Sequence, residues 1–127
     1  MILGIGIDLV KIKRIERAVE KWHDHFVGRV FTKKEQEYSF RQSNPYQHLS
    51  VRLAAKEAIL KAIGTGWSGG IKWTDIEIIN DEQGRPIATV YGKVRDLMEL
   101  NGVKEIMISL SHDTEYAIAQ AILVGEK

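Results

Sequence analysis

The segment Arg52-Leu53-Ala54-Ala55-Lys56-Glu57-Ala58-Ile59-Leu60-Lys61-Ala62-Ile63-Gly64-Thr65-Gly66 constrains the chain most, because it predicts a helix with no broad polar side. At about 100° per residue, Val51, Ala55, Ala58 and Ala62 fall on one line, with Ala54 and Ile59 beside it. Leu53, Leu60 and Ile63 lie toward the opposite side. Such a helix needs neighbours on both faces, and its stripe of small residues lets one of them approach closely. Glu57 and Lys61, one turn apart, share the strip between the faces. A carboxylate held near protein is costly unless it is paired, hydrogen-bonded or bound to metal, and Lys61 is one available partner. An ordinary surface ion pair has the same spacing and contributes only about 0.2–0.5 kcal/mol. Spacing alone leaves the two roles open.

The flanks of this helix carry punctuation. Asn44-Pro45 suits its start and Gly64 its C-cap, and upstream Thr32 with Glu35 predicts a capping box. Beyond the cap, Thr65-Gly66-Trp67-Ser68-Gly69-Gly70 offers backbone N–H groups and a hydroxyl, fit to hold phosphate or amide groups or to serve as a plain connector. The glycine spacing of a phosphate loop or a dinucleotide fingerprint is absent.

Met1 to Val10 reads as an apolar strand interrupted by Gly4 and Gly6, with one charge, Asp8, near its end. Glycine within a strand admits close approach of another backbone or a ligand. Asp8 either caps the next helix or serves a site at the strand end. In that next helix Ile12, Ile15, Val19 and Trp22 form a docking face, while Arg14, Arg17 and Lys21 form a basic stripe. The net charge is only +1, so the positive charge is concentrated locally. The stripe is either a solvated face or an attraction for an acidic partner. No extended basic surface with interleaved aromatics supports nucleic-acid binding.

The second half predicts strands at Asp75 to Asn80, Pro86 to Tyr91, Ile106 to Ser111 and Tyr116 to Val124, a turn at Asp81 to Gly84 and a helix near Lys93 to Leu100. The class is therefore α+β, with helices packed on a largely antiparallel sheet and residues 1–127 as one compact domain; 127 residues at 44% hydrophobic content support a real core. Both alternations of the last strand are largely apolar, so each face needs a cover, from the chain's own helices or from another copy. The absence of cysteine excludes disulfides, thiolate metal sites and a cysteine nucleophile, and is compatible with a reducing cytoplasm. The apolar start lacks a basic leader and no run is long enough to span a bilayer, so neither a signal peptide nor a membrane anchor is expected.

Three separated segments carry a resemblance. Gly4-Ile5-Gly6-Ile7-Asp8-Leu9-Val10 with Ile12 and Arg14-Ile15, then Arg52 to Gly66, then Ile108-Ser109-Leu110-Ser111-His112-Asp113 with Tyr116-Ala117, together resemble the bacterial holo-acyl-carrier-protein synthases, the small 4'-phosphopantetheinyl transferases. The resemblance implies transfer of the 4'-phosphopantetheine arm of coenzyme A to a serine of apo-acyl carrier protein, with release of adenosine 3',5'-bisphosphate, in support of fatty acid biosynthesis. It places magnesium ligands on Asp8 and Glu57, makes Glu57 or a metal-bound water the base, and gives Lys61 a role at the pyrophosphate. Arg52 and Lys56 then reach nucleotide phosphates or face solvent. Gly64, Thr65 and Gly66 would line the pantetheine and diphosphate path, and His112 the nucleotide end. Arg14, with Arg17 and Lys21, would dock the acidic carrier protein. The family's homotrimer, with coenzyme A between subunits, would explain the apolar last strand and would set Asp8 and Glu57 of one subunit beside His112 of its neighbour. Leu53 stands where many relatives carry phenylalanine. Two other functions suit the same residues: a magnesium-dependent hydrolase cutting the coenzyme A pyrophosphate with water, and a trimeric nucleotide-binding module without catalysis.

Overall fold

The computed structural model describes residues 1–64 and 69–126. In chain order they form β1 (Ile2–Lys11), α1 (Ile12–Val30), α2 (Lys33–Phe40), α3 (Pro45–Ile63), a 3-10 turn (Trp73–Asp75), β2 (Ile76–Asn80), β3 (Pro86–Val90), α4 (Gly92–Leu100), β4 (Glu105–His112) and β5 (Tyr116–Val124). The first and last strands pair, giving an antiparallel sheet of order β1-β5-β4, while β2 and β3 form a separate hairpin. The α+β expectation holds.

The stripe of small residues on α3 meets the glycines of β1. A Cβ on Gly4 would lie 2.1 Å from the Ala62 carbonyl oxygen, and one on Gly6 would lie 2.0 Å from that of Ala58. No real side chain fits there, so helix and strand meet backbone to backbone. The inner residues of α3, from Ala54 to Leu60, join Ile76 and Ile78 of β2 and Ala119, Ala121 and Leu123 of β5 in the main core. On the other side of the molecule Ile15, Val19, Val27, Val30, Phe31 and Leu49 fasten α1 to α3. Both faces of α3 are thus enclosed, as its apolar pattern requires.

Local punctuation behaves as read. The Thr32 hydroxyl and the Glu35 carboxylate form a reciprocal capping box on α2, Pro45 opens α3, and Gly64 closes it at φ 87° with its N–H donating to the Leu60 carbonyl over 3.0 Å. One expectation needs correction, and one of two open alternatives falls away. Trp22 does not dock: it is 53% exposed, because α1 kinks there (φ -125°, ψ 19°) and hands the buried face on to Val27 and Val30. The Lys21 ammonium instead sits 5.0 Å from the Trp22 ring centroid. Nor does Asp8 cap α1. The strand continues to Lys11, which holds the N-cap position without a side-chain hydrogen bond.

In β5 only Ala117, Ala119, Ala121 and Leu123 are buried within the chain. The other alternation faces outward in cross-strand rows, Ile5 beside Ile122 and Met107, and Leu9 beside Ile118. Ile5, Ile7, Leu9, Met107 and Ile118 are all exposed. No helix among the described residues is long and apolar enough to cross a membrane.

Candidate active site

Alternation along β1 puts Gly4, Gly6 and Asp8 on one face. The glycines bring α3 onto the strand, and the next residue of that face, Asp8, emerges where the helix presents its charged strip. The Lys61 ammonium donates to Asp8 Oδ1 over 2.9 Å and to the Ile7 carbonyl over 3.1 Å. Half-buried Glu57 lies one turn earlier on the helix. Asp8, Glu57 and Lys61 all line one groove of about 500 Å³, together with Lys11 and Arg14 and an apolar wall of Ile15, Ala18, Phe26 and Leu53. Three residues from two distant segments thus converge on one surface, with the first residue of the basic stripe at its rim.

Electrostatics in the groove are those of an open site. The Asp8 side chain is 16% exposed and that of Lys61 55%. The hydrogen bond to Asp8, then the Asp8 charge, and less strongly Glu57, raise the Lys61 pKa above its ordinary value and hold it as an ammonium. As a stability element the pair counts for little, because water screens it.

The donor set suits a hard divalent cation. Asp8 and Glu57 offer carboxylate oxygens, and no group of three or more His, Cys, Asp or Glu able to hold a metal exists among the described residues. An ion there would complete its coordination with water and substrate oxygens, the manner in which magnesium is usually held.

Arg52 and Lys56 depart from expectation. Neither faces solvent or lines the groove; they are 1% and 0% exposed. The Lys56 ammonium donates to Glu35 Oε1 and the Val30 carbonyl, both over 2.7 Å, and to the Trp73 carbonyl over 3.2 Å. Glu35 is equally saturated, accepting from the amides of Thr32 and Ile78 at 2.9 and 2.8 Å. Burial pushes the Lys56 pKa down and the Glu35 carboxylate opposes that push. Arg52 donates to the carbonyls of Ile78 and His48 and to Asn80 Oδ1, and stacks 4.5 Å from the Tyr38 ring centroid. All three donors of Lys56 and three of the five of Arg52 are spent on the fold, so in this chain both cations are built into the scaffold and sit away from the groove.

Other expected residues are spread out. Arg17 and Lys21 are exposed on α1 but outside the groove lining. Gly64 is the exposed cap of α3, while Thr65 and Gly66 lie outside the described residues. His112 ends β4 at a separate depression lined by Leu9, Ser111, Asp113, Tyr116 and Ile118. Sequence reading missed the second task of Glu35, whose capping box was legible, and the apolar wall of Phe26, Ala18 and Leu53. Nothing in the sequence pattern singles out His48, whose ring lies 6.3 Å from that of His112.

Known proteins are similar to this chain in sequence and fold. The family model described as the 4'-phosphopantetheinyl transferase superfamily matches residues 4–121. A holo-(acyl-carrier-protein) synthase of Geotalea daltonii is 43% identical over 97% of this chain and 98% of its own. That of Protochlamydia amoebophila is 44% identical over 96% and 98%. Among solved structures, the synthase of Neisseria meningitidis superposes with a TM-score of 0.89 at 34% identity over 100% of both chains. That of Bacillus anthracis, in complex with CoA (3',5'-ADP), superposes with a TM-score of 0.81 at 33% identity over 99% of both. By sequence over its whole length and by fold, this chain belongs to the 4'-phosphopantetheinyl transferase superfamily, among its holo-(acyl-carrier-protein) synthases.

Proposed function

We propose that this chain moves the 4'-phosphopantetheine arm of coenzyme A onto a serine of apo-acyl carrier protein, releasing adenosine 3',5'-bisphosphate. The observation that carries this reading is the convergence of Asp8, Glu57 and Lys61 on one groove whose rim continues into Arg14 and an apolar wall. A protein acceptor needs such a rim, whereas water needs none. No comparison favours hydrolysis of the coenzyme A pyrophosphate.

Asp8 and Glu57 would hold Mg2+, which when bound neutralises phosphate charge and stabilises charge developing on the leaving oxygen. Glu57, facing the same groove, takes the proton of the carrier serine as its oxygen attacks the phosphorus next to the pantetheine. The bond from that phosphorus to the bridging oxygen breaks, and the bridging oxygen leaves with the adenosine bisphosphate. Lys61, kept cationic by Asp8, supplies positive charge to that departing phosphate. Ile15, Ala18, Phe26 and Leu53 offer apolar contact to the acceptor, and Arg14, Arg17 and Lys21 meet its acidic helices. By likeness to the family, Gly64 would line the pantetheine path and His112 would serve the nucleotide end.

The outward face of β1, β5 and β4 supports assembly as a homotrimer, with copies of this chain covering Ile5, Leu9 and Ile118 and the site completed by His112 of the neighbour. Residues 1–127 act as one domain in the cytoplasm. The deciding experiment is intact-mass analysis of apo-acyl carrier protein incubated with this protein, coenzyme A and magnesium. A gain of one phosphopantetheine, abolished by chelator and by removal of the acceptor serine, is the expected result. Cleaved coenzyme A beside an unchanged carrier overturns the transferase reading in favour of the hydrolase.

A further inference from the structure

His48 and His112 come from parts of the chain 64 residues apart by number, yet their rings stand 6.3 Å centroid to centroid at an interplanar angle of 59°. His48 sits in the first turns of α3, half-buried, with its ring edge-on to Tyr38 of α2 at 5.7 Å. The Arg52 guanidinium, one turn further along α3, donates to the His48 carbonyl over 3.1 Å. His112 is exposed at the end of β4. Three groups that are or can become cations therefore crowd one edge of the molecule.

The carboxylates nearby are committed elsewhere. Asp113, which follows β4, accepts from the amides of Glu115 and Tyr116, each over 2.7 Å, and these bonds hold it ionised as a turn anchor. Glu35, which attracts Arg52, is sealed in its pair with Lys56. The groups acting on His48 are thus Arg52 on its own helix, Tyr38 from α2 and His112 from β4. Burial first, then Arg52 and His112, disfavour its protonated form. An anion resting between the two rings would reverse that preference, and a phosphate dianion, with several acceptor oxygens, can take an N–H from each ring.

We propose that His48 joins His112 in gripping a phosphate monoester dianion at the nucleotide end of coenzyme A, so that proton uptake at His48 accompanies phosphate binding. This rests on the transferase reading for the identity of the ligand. His48 is a binding residue here, and its protonation tunes nucleotide affinity between mildly acidic and mildly alkaline pH.

The test is calorimetric titration of the full chain with adenosine 3',5'-bisphosphate and with adenosine 5'-monophosphate, at pH 6.5 and pH 8, beside the variant His48→Phe, which keeps a ring against Tyr38. At pH 6.5 the variant binds the bisphosphate about fivefold more weakly than the unsubstituted chain, and at pH 8 the two bind alike. The monophosphate shows no difference between them at either pH. Equal loss at both pH values, loss shared by the monophosphate, or no loss at all overturns the proposal. Carrier-mass analysis runs in parallel: transfer without the pH-dependent difference sinks only the histidine pair, and the difference without transfer sinks only the transferase reading.

Discussion

Helix α3 carries two lysines five positions apart, each paired with one carboxylate, and the two pairs do opposite work. Lys56 and Glu35 are wholly buried, and both are saturated with backbone partners. Lys61 and Asp8 meet at the same kind of distance, 2.9 Å, but on the wall of a groove, with the lysine more than half exposed. The buried pair ties α2, α3 and β2 together and has no valence left for a ligand. The open pair contributes little to the fold and keeps its groups available. Among charged residues on one helix, it is completeness of partnering, more than charge or spacing, that separates scaffold from chemistry.

Lys56→Met breaks this comparison most sharply. It strands Glu35 without its counter-charge and is expected to cost about 3–5 kcal/mol in urea unfolding, with much of the loss recovered when Glu35→Leu is added. Recovery is the informative part, since a lysine needed for substrate would leave the double variant stable yet inactive for that reason. Lys61→Met should do the reverse: transfer falls about 100-fold while stability stays within about 0.5 kcal/mol. Gly6→Ala comes next, because its methyl group must push into the Ala58 carbonyl; a loss of about 1–3 kcal/mol is expected by thermal unfolding.

Titration gives a smaller contrast. Lys61 has its pKa raised above the ordinary 10.5, so whatever it contributes to transfer persists through neutral and mildly alkaline pH, and no lysine limb should enter the rate profile below about pH 10. His48 has its pKa lowered below 6.5. The unfolded chain then takes up the proton more readily, so the stability that neutral His48 supports is complete above pH 6.5 and is lost as pH falls through its folded value. Chemical unfolding at pH 7.5 and pH 5.5 checks this, with His48→Phe expected to flatten the difference. Leu53→Phe is the mildest change, within about 1.5 kcal/mol, and acts through the groove's apolar wall.

Much of this was legible in residue order because the signals were local. Pro45, Gly64 and the pairing of Thr32 with Glu35 mark helix ends through bonds closed within a turn, and the doubly apolar pattern of α3 foretold that it would be enclosed. Asp8 stood out as a lone charge in an apolar strand. What escaped reading depended on partners remote in sequence. Arg52 and Lys56 look like surface cations until Ile78, Asn80 and Glu35 are brought to them, and no periodicity encodes a contact between α2 and α3. Trp22 fitted the helical spacing of Ile15 and Val19 perfectly well; a change of backbone angles at that residue, invisible in side-chain pattern, turned it outward. His48 gained meaning only when β4 delivered His112 beside it.

The backbone contact of Gly4 and Gly6 with Ala62 and Ala58 has a consequence for how the site ages. Interlocked side chains have rotamers and loosen as they repack, whereas a carbonyl pressed on a bare α-carbon has no such freedom. The separation of strand and helix, and with it the reach from Asp8 to Glu57, is therefore ruled by covalent geometry. Core residues such as Ile59 or Leu123 can drift among aliphatic types over many generations without altering that reach. Only Gly4 and Gly6, where any Cβ would meet a backbone carbonyl, are barred from the drift, and they act as a built-in gauge block for the two carboxylates.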